Sequence, residues 1–563
     1  MNKLRELWKD RDNQWVYFKW LMHYARPYSG KILLMMGISL FDTLATLFMV
    51  HISKMIIDHA TFGSGFLRLV VVYVAITLIL EGIRIFSTLW GTMLNEKFSF
   101  GIRKQVYEKI ICSHWMDVKK FHTGDLMTRL TSDAGTVADG MISTIPGIVQ
   151  LAVELVLVFF TLYIYSPLLA ILALLVAPIA AVSSWWLGRK LWKLQIKVQE
   201  SEAAYRSFMQ ESLANLLIVK AFANEDYASN RFVKLREERF KWVYRRTKMS
   251  AANSSIMSLA FQFGYIAAFA YGALQISRNA ITYGTMSVFL TLVNRVQAPI
   301  MGLAQQIPRV VSVLASVRRI IELQNIPVEE KKEENISARQ IGVDVSHMSF
   351  GYTEETVLED VNLHICPGEA VAIIGESGIG KTTLVRIIMS FMGNISGEIR
   401  FFNENGETEA ANASTRNFIA YVPQGNTLFS GTVRENIRMG RLDATTEEML
   451  QALKLASGYD FVMNLPNGID TVIGERGHGL SEGQAQRIAI ARALVRKAPF
   501  LILDEATSAL DEATELSVLK GLEQLEPRPT CLIITHRKSI LPYCSREIRI
   551  ENKKVRILTR DGQ

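Results

Sequence analysis

The chain changes pattern near its middle. Up to about Leu303, long apolar runs alternate with basic, polar stretches; beyond Gln340, short apolar runs alternate with turn signals. Six of the long runs can cross the roughly 30 Å hydrocarbon layer as helices. They lie near Lys31–Asp58, Phe66–Leu94, Val137–Tyr165, Leu168–Leu191, Ser250–Ser277 and Ile281–Leu303. Ahead of them, Gln14–Tyr28 mixes Trp15, Tyr17, Phe18, Trp20 and Tyr24 with Lys19, His23 and Arg26, which suits a helix lying in the membrane interface. In the second half, Val371–Ile374, Phe500–Leu503 and Cys531–Thr535 are wholly apolar and bounded by turns, so they predict buried strands of a parallel sheet. Val343–Ser346 and Met348–Phe350 alternate like half-buried strands. Gln324–Gln340 is polar and charged with one proline, a linker by composition. The fold class expected is multidomain: an all-α, six-helix transmembrane domain over 1–323, a linker over 324–340 and an α/β domain over 341–563.

Charge refines this picture. At 563 residues the chain is too long for one ordinary domain, and its net charge of +8 invites a nucleic-acid reading. The distribution of basic residues favours a membrane protein instead. The connection after the second run holds Lys97, Arg103, Lys104, Lys109, Lys119, Lys120 and Arg129. The connection after the fourth extends from Arg189 and Lys190 to Arg245, Arg246 and Lys248, whereas the opposite turns hold little beyond Arg68 and Arg278. Basic connections remain in the cytoplasm, so both long connections and both termini are expected there. Cys112, Cys366, Cys531 and Cys544 lack metal-ligand spacing and fall in cytoplasmic segments, where free thiols are expected. Met1–Gly30 lacks the apolar core of a cleavable signal.

The chemistry is concentrated in the second half. Val371–Ile374 runs into Gly375-Glu376-Ser377-Gly378-Ile379-Gly380-Lys381-Thr382-Thr383 and then an apolar helix, which is G-x-x-x-x-G-K-[ST] in its required strand–loop–helix context. The glycines let successive backbone N–H groups turn inward around phosphates, and the helix N-terminus adds its positive end. Lys381 would neutralise the β- and γ-phosphates, and Thr382 would ligate Mg²⁺. The run Phe500–Leu503 ends in Asp504-Glu505, two carboxylates where α/β sheets place their ligands. Before it, Leu480-Ser481-Glu482-Gly483-Gln484 forms a small-residue turn ahead of a basic amphipathic helix, a second N-terminal anion site.

These motifs resemble the ATP-binding cassette of ABC half-transporters of the exporter type, with the membrane domain first and the P-loop NTPase cassette second. The resemblance runs from about Gln14 to Arg546. It makes Leu480–Gln484 the signature sequence, with Ser481, Gly483 and Gln484 at the nucleotide, and Phe500–Glu505 the Walker B strand. It implies that Tyr352 stacks on adenine and that Gln424, in Tyr421-Val422-Pro423-Gln424, reaches Mg²⁺ and the attacking water. Asp504 would hold Mg²⁺, Glu505 would orient or deprotonate that water, and His536 would stand near the γ-phosphate. Ser508–Asp511 resembles the D-loop and Gly474-Glu475-Arg476-Gly477 the X-loop. Phe121–Arg129 with Asp133, and Glu211–Leu213 with Val219–Phe222 and Glu225, resemble the two intracellular connections. Their crosswise coupling helices are expected near His114–Lys119 and Ala221–Glu225. One departure is Glu482, where the commonest text has glycine.

The resemblance implies an ATPase that drives export by alternating access, with two ATP molecules and Mg²⁺ held between two head-to-tail cassettes. Every catalytic element is present on this chain, which favours a homodimer over the intact half of a heterodimer. Expected partners are a second copy, the lipid bilayer and an unidentified amphipathic small molecule, lipid or peptide, with no nucleic acid. The expected location is a bacterial inner membrane. Lipid flipping uses the same parts; a non-pumping ATP-gated channel is disfavoured by the intact Glu505 and His536. For the cargo path, ionisable and amide groups within the spans are candidates because lipid penalises them: Asp42, Glu154, Asn294 and Arg295. Asp42 and Glu154 are deep and lack an obvious local partner, which would favour a cationic or peptidic cargo. Glu81 and Arg84, one turn apart, are expected to pair.

Overall fold

The computed structural model describes residues 11–61, 65–330, 336, 339–352, 355–376, 378–393, 395–474 and 477–559. They form two compact units. The first comprises Met1–Tyr107 and Thr123–Gln324, the second Glu108–His122 and Asn325–Gln563.

The first unit is helical. Among the described residues, five helices are long and apolar enough to cross a membrane: Trp15–Thr61, Phe66–Cys112, Thr123–Tyr165, Glu225–Ser277 and Tyr283–Gln324. The fourth expected span lies on the Pro167–Ala214 helix; the side chains of 172–187 lie outside the described residues. The helices outrun the spans read from hydropathy, because their polar extensions keep a helical apolar face. The last helix continues past Leu303 and buries Val313, Val317, Ile320 and Leu323 along one side. The Arg11–Ala25 helix, which overlaps the expected interfacial stretch, turns Trp15, Val16, Phe18 and Met22 outward. Its other face is tied down: Trp20 Nε1 donates to Gln324 Oε1 at 2.8 Å, and Gln324 Nε2 donates to the Tyr24 hydroxyl.

Thr123–Tyr165 contains two π-helical turns, Arg129–Asp133 and Gly140–Thr144. Such turns widen a helix and recur at functional positions. Here the first brings buried Asp133 to Ser316 Oγ, which donates at 2.9 Å, and to Arg319 Nε, which donates at 2.6 Å. Gly140 belongs to the second, and a Cβ there would meet Val313 Cγ2 at 2.6 Å. The second crosswise helix is Leu216–Ala221, about a turn earlier than expected. The chain breaks at Asn215 and again at Ala223, whose φ is +50°.

The second unit holds two main sheets. Strands β1 (Ile341–Gly351), β2 (Thr356–Ile365), β4 (Ser396–Asn403) and β5 (Thr408–Ala410) form an antiparallel sheet in the order β2-β1-β4-β5. The larger sheet runs β12-β11-β3-β10-β9-β6, from β3 (Ala370–Ile374), β6 (Ile419–Val422), β9 (Phe500–Asp504), β10 (Thr530–Ile534), β11 (Arg546–Glu551) and β12 (Lys554–Thr559). Its neighbours are parallel except for the antiparallel β11–β12 edge. A short ribbon pairs β7 (Gly431–Thr432) with β8 (Val472–Ile473).

Successive strand residues point to opposite faces, and the central strands feed two separate cores. Ala370, Ala372, Ala420, Val422, Leu501, Leu503, Cys531 and Ile533 pack into one with the Glu482–Val495 helix. Val371, Ile373, Ile419, Phe500, Ile502, Leu532 and Ile534 pack into the other with the Lys381–Ile388 helix.

The expected linker is partly built into this unit. Ile336 is buried in the second core. Arg416 holds Glu329 through two donors at 2.6 and 2.9 Å. The Glu108–His122 segment joins the same region: Ser113 bridges Val328, and His114 N donates to Pro327 O at 3.1 Å. The Trp115–Lys119 helix follows. Its Trp115 ring lies 5.9 Å from the Phe391 ring, with the Arg386 guanidinium over its face at 5.3 Å.

Candidate functional site: a nucleotide cradle at the strand ends

Adjacent strands β3, β10, β9 and β6 deliver their C-terminal ends side by side. Between β3 and its helix, Gly378 and Gly380 have φ of +82° and +112°, values at which a side chain would be strained. Gly375 leaves only 3.1 Å to Ile379 Cγ2 and the Ile550 carbonyl for any added Cβ. Ser377 lies outside the described residues. Lys381 Nζ donates to the Gly375 carbonyl at 2.7 Å and the Glu376 carbonyl at 3.1 Å, and lies 3.0 Å from His536 Nε2. Burial depresses the Lys381 ammonium below the ordinary lysine range, with Glu505 and Asp504 opposing that shift.

Two polar chains cross the site. In the first, Gln424 Nε2 donates to Glu505 Oε2 at 2.5 Å, and His536 Nε2 lies 3.1 Å from Glu505 Oε1. Glu505 has φ of +50° and its N–H donates to the Ile534 carbonyl at 3.1 Å. This strained backbone aims its carboxylate away from the strand. In the second, Thr382 Oγ1 donates to Asp504 Oδ1 at 3.3 Å and the Tyr421 hydroxyl donates to Asp504 Oδ2 at 3.2 Å. Burial raises the Asp504 carboxyl above its usual range, while the two hydroxyls oppose the rise. Tyr421 carried no expected role; its place on β6, immediately before the Gln424 loop, was the available signal. Tyr352 packs edge-on against Phe350 and its hydroxyl lies 3.1 Å from Thr383 Oγ1.

The Leu480–Gln484 turn has a different neighbourhood. Ser481 caps the following helix: its Oγ accepts from Gln484 N at 3.2 Å, and Gln484 Oε1 accepts from Ser481 N at 2.9 Å. The Gln484 side chain is thus committed to the cap, so its share in the site is the shape of the turn. A Cβ on Gly483 would come within 2.8 Å of the Ala509 carbonyl, so the turn is pressed against Ser508–Asp511. Among the described residues, no hydrogen bond joins Ser481, Gly483 or Gln484 to Gly375–Thr383. Glu475 and Arg476 of the expected X-loop lie outside the described residues.

In the spans the structure gives Asp42 a partner that sequence spacing did not show. Asp42 is not without a partner: Arg84 Nε donates to its Oδ1 at 3.0 Å and Arg84 Nη2 to its Oδ2 at 3.3 Å. Glu81 stands 3.6 Å from Arg84 Nη1, as its spacing implied. The partner of Asp42 belongs to another helix, beyond the reach of a search one turn either way. A cavity of about 290 Å³ beside this cluster is lined by Arg84 and Arg295, and by neither Asp42 nor Glu154. Glu154 lies within electrostatic range of Arg295 and Asp42. Asn294 is exposed and does not line the cavity.

A P-loop, a buried aspartate and a glutamate–histidine–lysine chain on one sheet, attached to a set of membrane-length helices, define a membrane-embedded P-loop ATPase. Residues 32–300 match the family described as ABC transporter transmembrane region, and residues 358–508 match ABC transporter. A relative called ATP-dependent lipid A-core flippase, from Syntrophus aciditrophicus, is 30% identical over 561 residues, covering 97% of this chain and 93% of the relative. A putative multidrug export ATP-binding/permease protein of Staphylococcus aureus is 30% identical over 501 residues, covering 88% and 86%. The structure of a bacterial Atm1-family ABC exporter with ATP bound superposes with a TM-score of 0.78 at 23% identity, covering 94% of each chain, a likeness of fold. The chain belongs to the ABC transporter family. It is an integral membrane exporter whose cassette hydrolyses ATP to drive transport.

Proposed function

We propose that two copies of this chain form the working exporter, each P-loop completing its site with the Leu480–Gln484 turn of the other copy. The carrying observation is the pair of cores: the P-loop helix is rooted in one face of the large sheet and the signature helix in the opposite face. A cassette built this way does not lay its own turn over its own nucleotide. A second support is the tip of the second connection, which this reading places in the cytoplasm and where Leu216, Leu217, Ile218 and Phe222 stand exposed, an apolar surface suited to a partner. In this reading Tyr352 stacks on adenine and the glycine-rich loop with Lys381 holds the phosphates. Thr382, Asp504 and Gln424 hold Mg²⁺; the hydroxyl, carboxylate and amide oxygens are the hard donors this cation takes. When bound, Mg²⁺ neutralises charge on the phosphate oxygens. Glu505 accepts a proton from water as its oxygen bonds to the γ-phosphorus, ADP departs, and His536 and Lys381 donate to the phosphate oxygens.

The test is complementation. Copies carrying Lys381→Ala and copies carrying Ser481→Ala are each inactive alone, and a mixed dimer collects both lesions in one site and leaves the other intact. Mixed dimers regaining up to about half of parental turnover, since one site of two is whole, support the reading. Mixed dimers no better than either variant overturn it. The cassettes and termini face the cytoplasm in this proposal, in a bacterial inner membrane, with the basic connections as the support. A second reading, lipid flipping without release, is favoured by the flippase name of the relative matched across 97% of this chain. Sealed proteoliposomes separate the cases: a flippase moves labelled lipid between leaflets, whereas an exporter to solution accumulates cargo in the lumen.

A further inference from the structure

We infer that Arg537 is a positioning residue for the nucleotide held by the other copy, although it stands next to His536 of its own cradle. The assignment rests on the two-copy reading and deepens it by one residue. Arg537 is half-buried, and its fork is spent on a single loop: Nη1 donates to the Leu510 carbonyl and Nη2 to the Ser508 carbonyl, each at 2.8 Å. Its countercharge is the fully buried Glu515, whose Oε2 lies 3.4 Å from Arg537 Nη1 and accepts from Ser539 Oγ at 3.0 Å. A carboxylate taken out of water holds on to such a partner, so the guanidinium is fixed where it grips the loop.

From the other side the same loop meets the signature helix. Buried Gln486 donates through Nε2 to Ser508 Oγ at 3.2 Å and accepts through Oε1 from Ala509 N at 3.1 Å. The Ala509 carbonyl leaves only 2.8 Å for a Cβ on Gly483. Ser508–Leu510 is thus clamped between Arg537 and the Leu480–Gln484 turn, and interiors packed this closely transmit a shift rather than absorb it. The cradle is held by other means. His536 Nε2 lies 3.0 Å from Lys381 Nζ and 3.1 Å from Glu505 Oε1. Thr535 N donates to the Ile373 carbonyl, and Thr535 Oγ1 accepts from Arg537 N. Among the described residues, the Arg537 side chain makes no hydrogen bond to the P-loop, Gln424, Glu505 or His536. Its backbone belongs to the cradle and its side chain to the turn. Loss of the fork frees the loop beneath Ser481 and Gly483 and leaves Lys381, Glu505 and His536 their own contacts. In the proposed head-to-tail pair, the damage falls on the partner's nucleotide.

The experiment uses full-length copies with two different affinity tags, co-expressed and purified over both, so that each preparation holds mixed dimers. One copy is parental; the other carries Arg537→Gln together with either Ser481→Ala or Lys381→Ala. Steady-state ATPase with Mg²⁺ is the readout. With Ser481→Ala both lesions fall on the site at the parental copy's P-loop, and about half of parental turnover should remain. With Lys381→Ala they fall on different sites, and turnover should drop below about a tenth, since two charge-assisted hydrogen bonds to the loop are gone. A residue serving its own cradle through His536 would give the reverse pattern, which overturns the inference. Equal turnover of the two arrangements in folded dimers, high or low, overturns it as well. Arg537→Gln alone strands the buried Glu515 carboxylate; if that variant does not fold, Arg537→Gln/Glu515→Gln in the same two arrangements supplies the readout. Arg537→Lys keeps the charge but not the fork, and should show the same pattern with a smaller loss. Mixed dimers of Lys381→Ala with Ser481→Ala copies separate the two failures. No recovery there sinks the two-copy reading, whereas recovery there with the reverse pattern here sinks only the role of Arg537.

Discussion

Removing one oxygen from β6 tests the electrostatics of the proposed Mg²⁺ site. Asp504 is 1% exposed, so water cannot replace a lost donor. Burial holds its carboxyl above the ordinary aspartate range, and the Thr382 and Tyr421 hydroxyls partly restore the ionised form. Tyr421 stays a donor because burial and the neighbouring Asp504 push its own ionisation upward. The sign follows: a raised carboxyl keeps its proton to higher pH, and a protonated carboxyl is a poor cation ligand, so activity is lost on the acid side. Tyr421→Phe takes one of the two hydroxyl donors from a charged acceptor, a contact worth about 1.5–3 kcal/mol. That multiplies the protonated share of Asp504 by roughly ten to a hundred at a given pH on the acid limb. The assay is steady-state ATPase with Mg²⁺ across the pH range. The acid limb should move to higher pH, turnover on it should fall about tenfold, and extra Mg²⁺ should recover part of the loss by competing with the proton. An acid limb that stays in place in a folded variant, or a uniform fall at every pH, refutes the argument.

Glu505→Gln should lower turnover more than about a hundredfold, as expected for loss of a general base, while ATP still brings cassettes together in cross-linking; retained turnover would remove its assigned role. Glu482→Gly should change turnover by less than about fivefold, because an exposed acid in the first turn of a helix contributes only about 0.3–1 kcal/mol; a larger change in ATPase would mean that Glu482 faces nucleotide. Gly140→Ala forces a methyl into Val313 and should cost about 1–3 kcal/mol, read as a lower thermal midpoint of the detergent-solubilised protein. An unchanged midpoint would show that the Thr123–Tyr165 and Tyr283–Gln324 helices are less tightly packed there.

The nucleotide site was legible because its chemistry is contiguous text. A phosphate cradle needs its glycines, lysine and threonine within one loop, and Asp504 and Glu505 must follow directly on a buried strand. Five of the six expected spans were legible for a similar reason, since lipid demands unbroken apolar runs. Pairings between helices were not. Asp42 meets Arg84 from another helix, and Asp133 meets Ser316 and Arg319 from a still more distant one. A single sequence holds no register between such partners. Local punctuation can mislead as well. Leu216–Val219 continues the apolar pattern of the preceding helix, so the break at Asn215 had no glycine or proline to announce it. Polar composition hid the packing of Ile336 and Glu329 in the stretch read as linker.

Strands without a polar face carry the longest step from residue pattern to mechanism. An alternating strand has one wet face; Leu501, Ile502 and Leu503 in β9 have none, so helices must cover both sides of the sheet. Covering both sides divides the apolar helices into two sets, and the division falls between the P-loop helix and the signature helix. The two anion-binding helix starts are thereby anchored to opposite faces of the sheet. In the proposed dimer, two cassettes turned head-to-tail would remove the conflict, because each would lend its signature helix start to the other's P-loop. Overpacking one core alone, with Ala491→Leu in the buried signature helix, should therefore impair closure over nucleotide before it impairs nucleotide binding to the P-loop. Equal loss of both in the same preparation would contradict this division of labour.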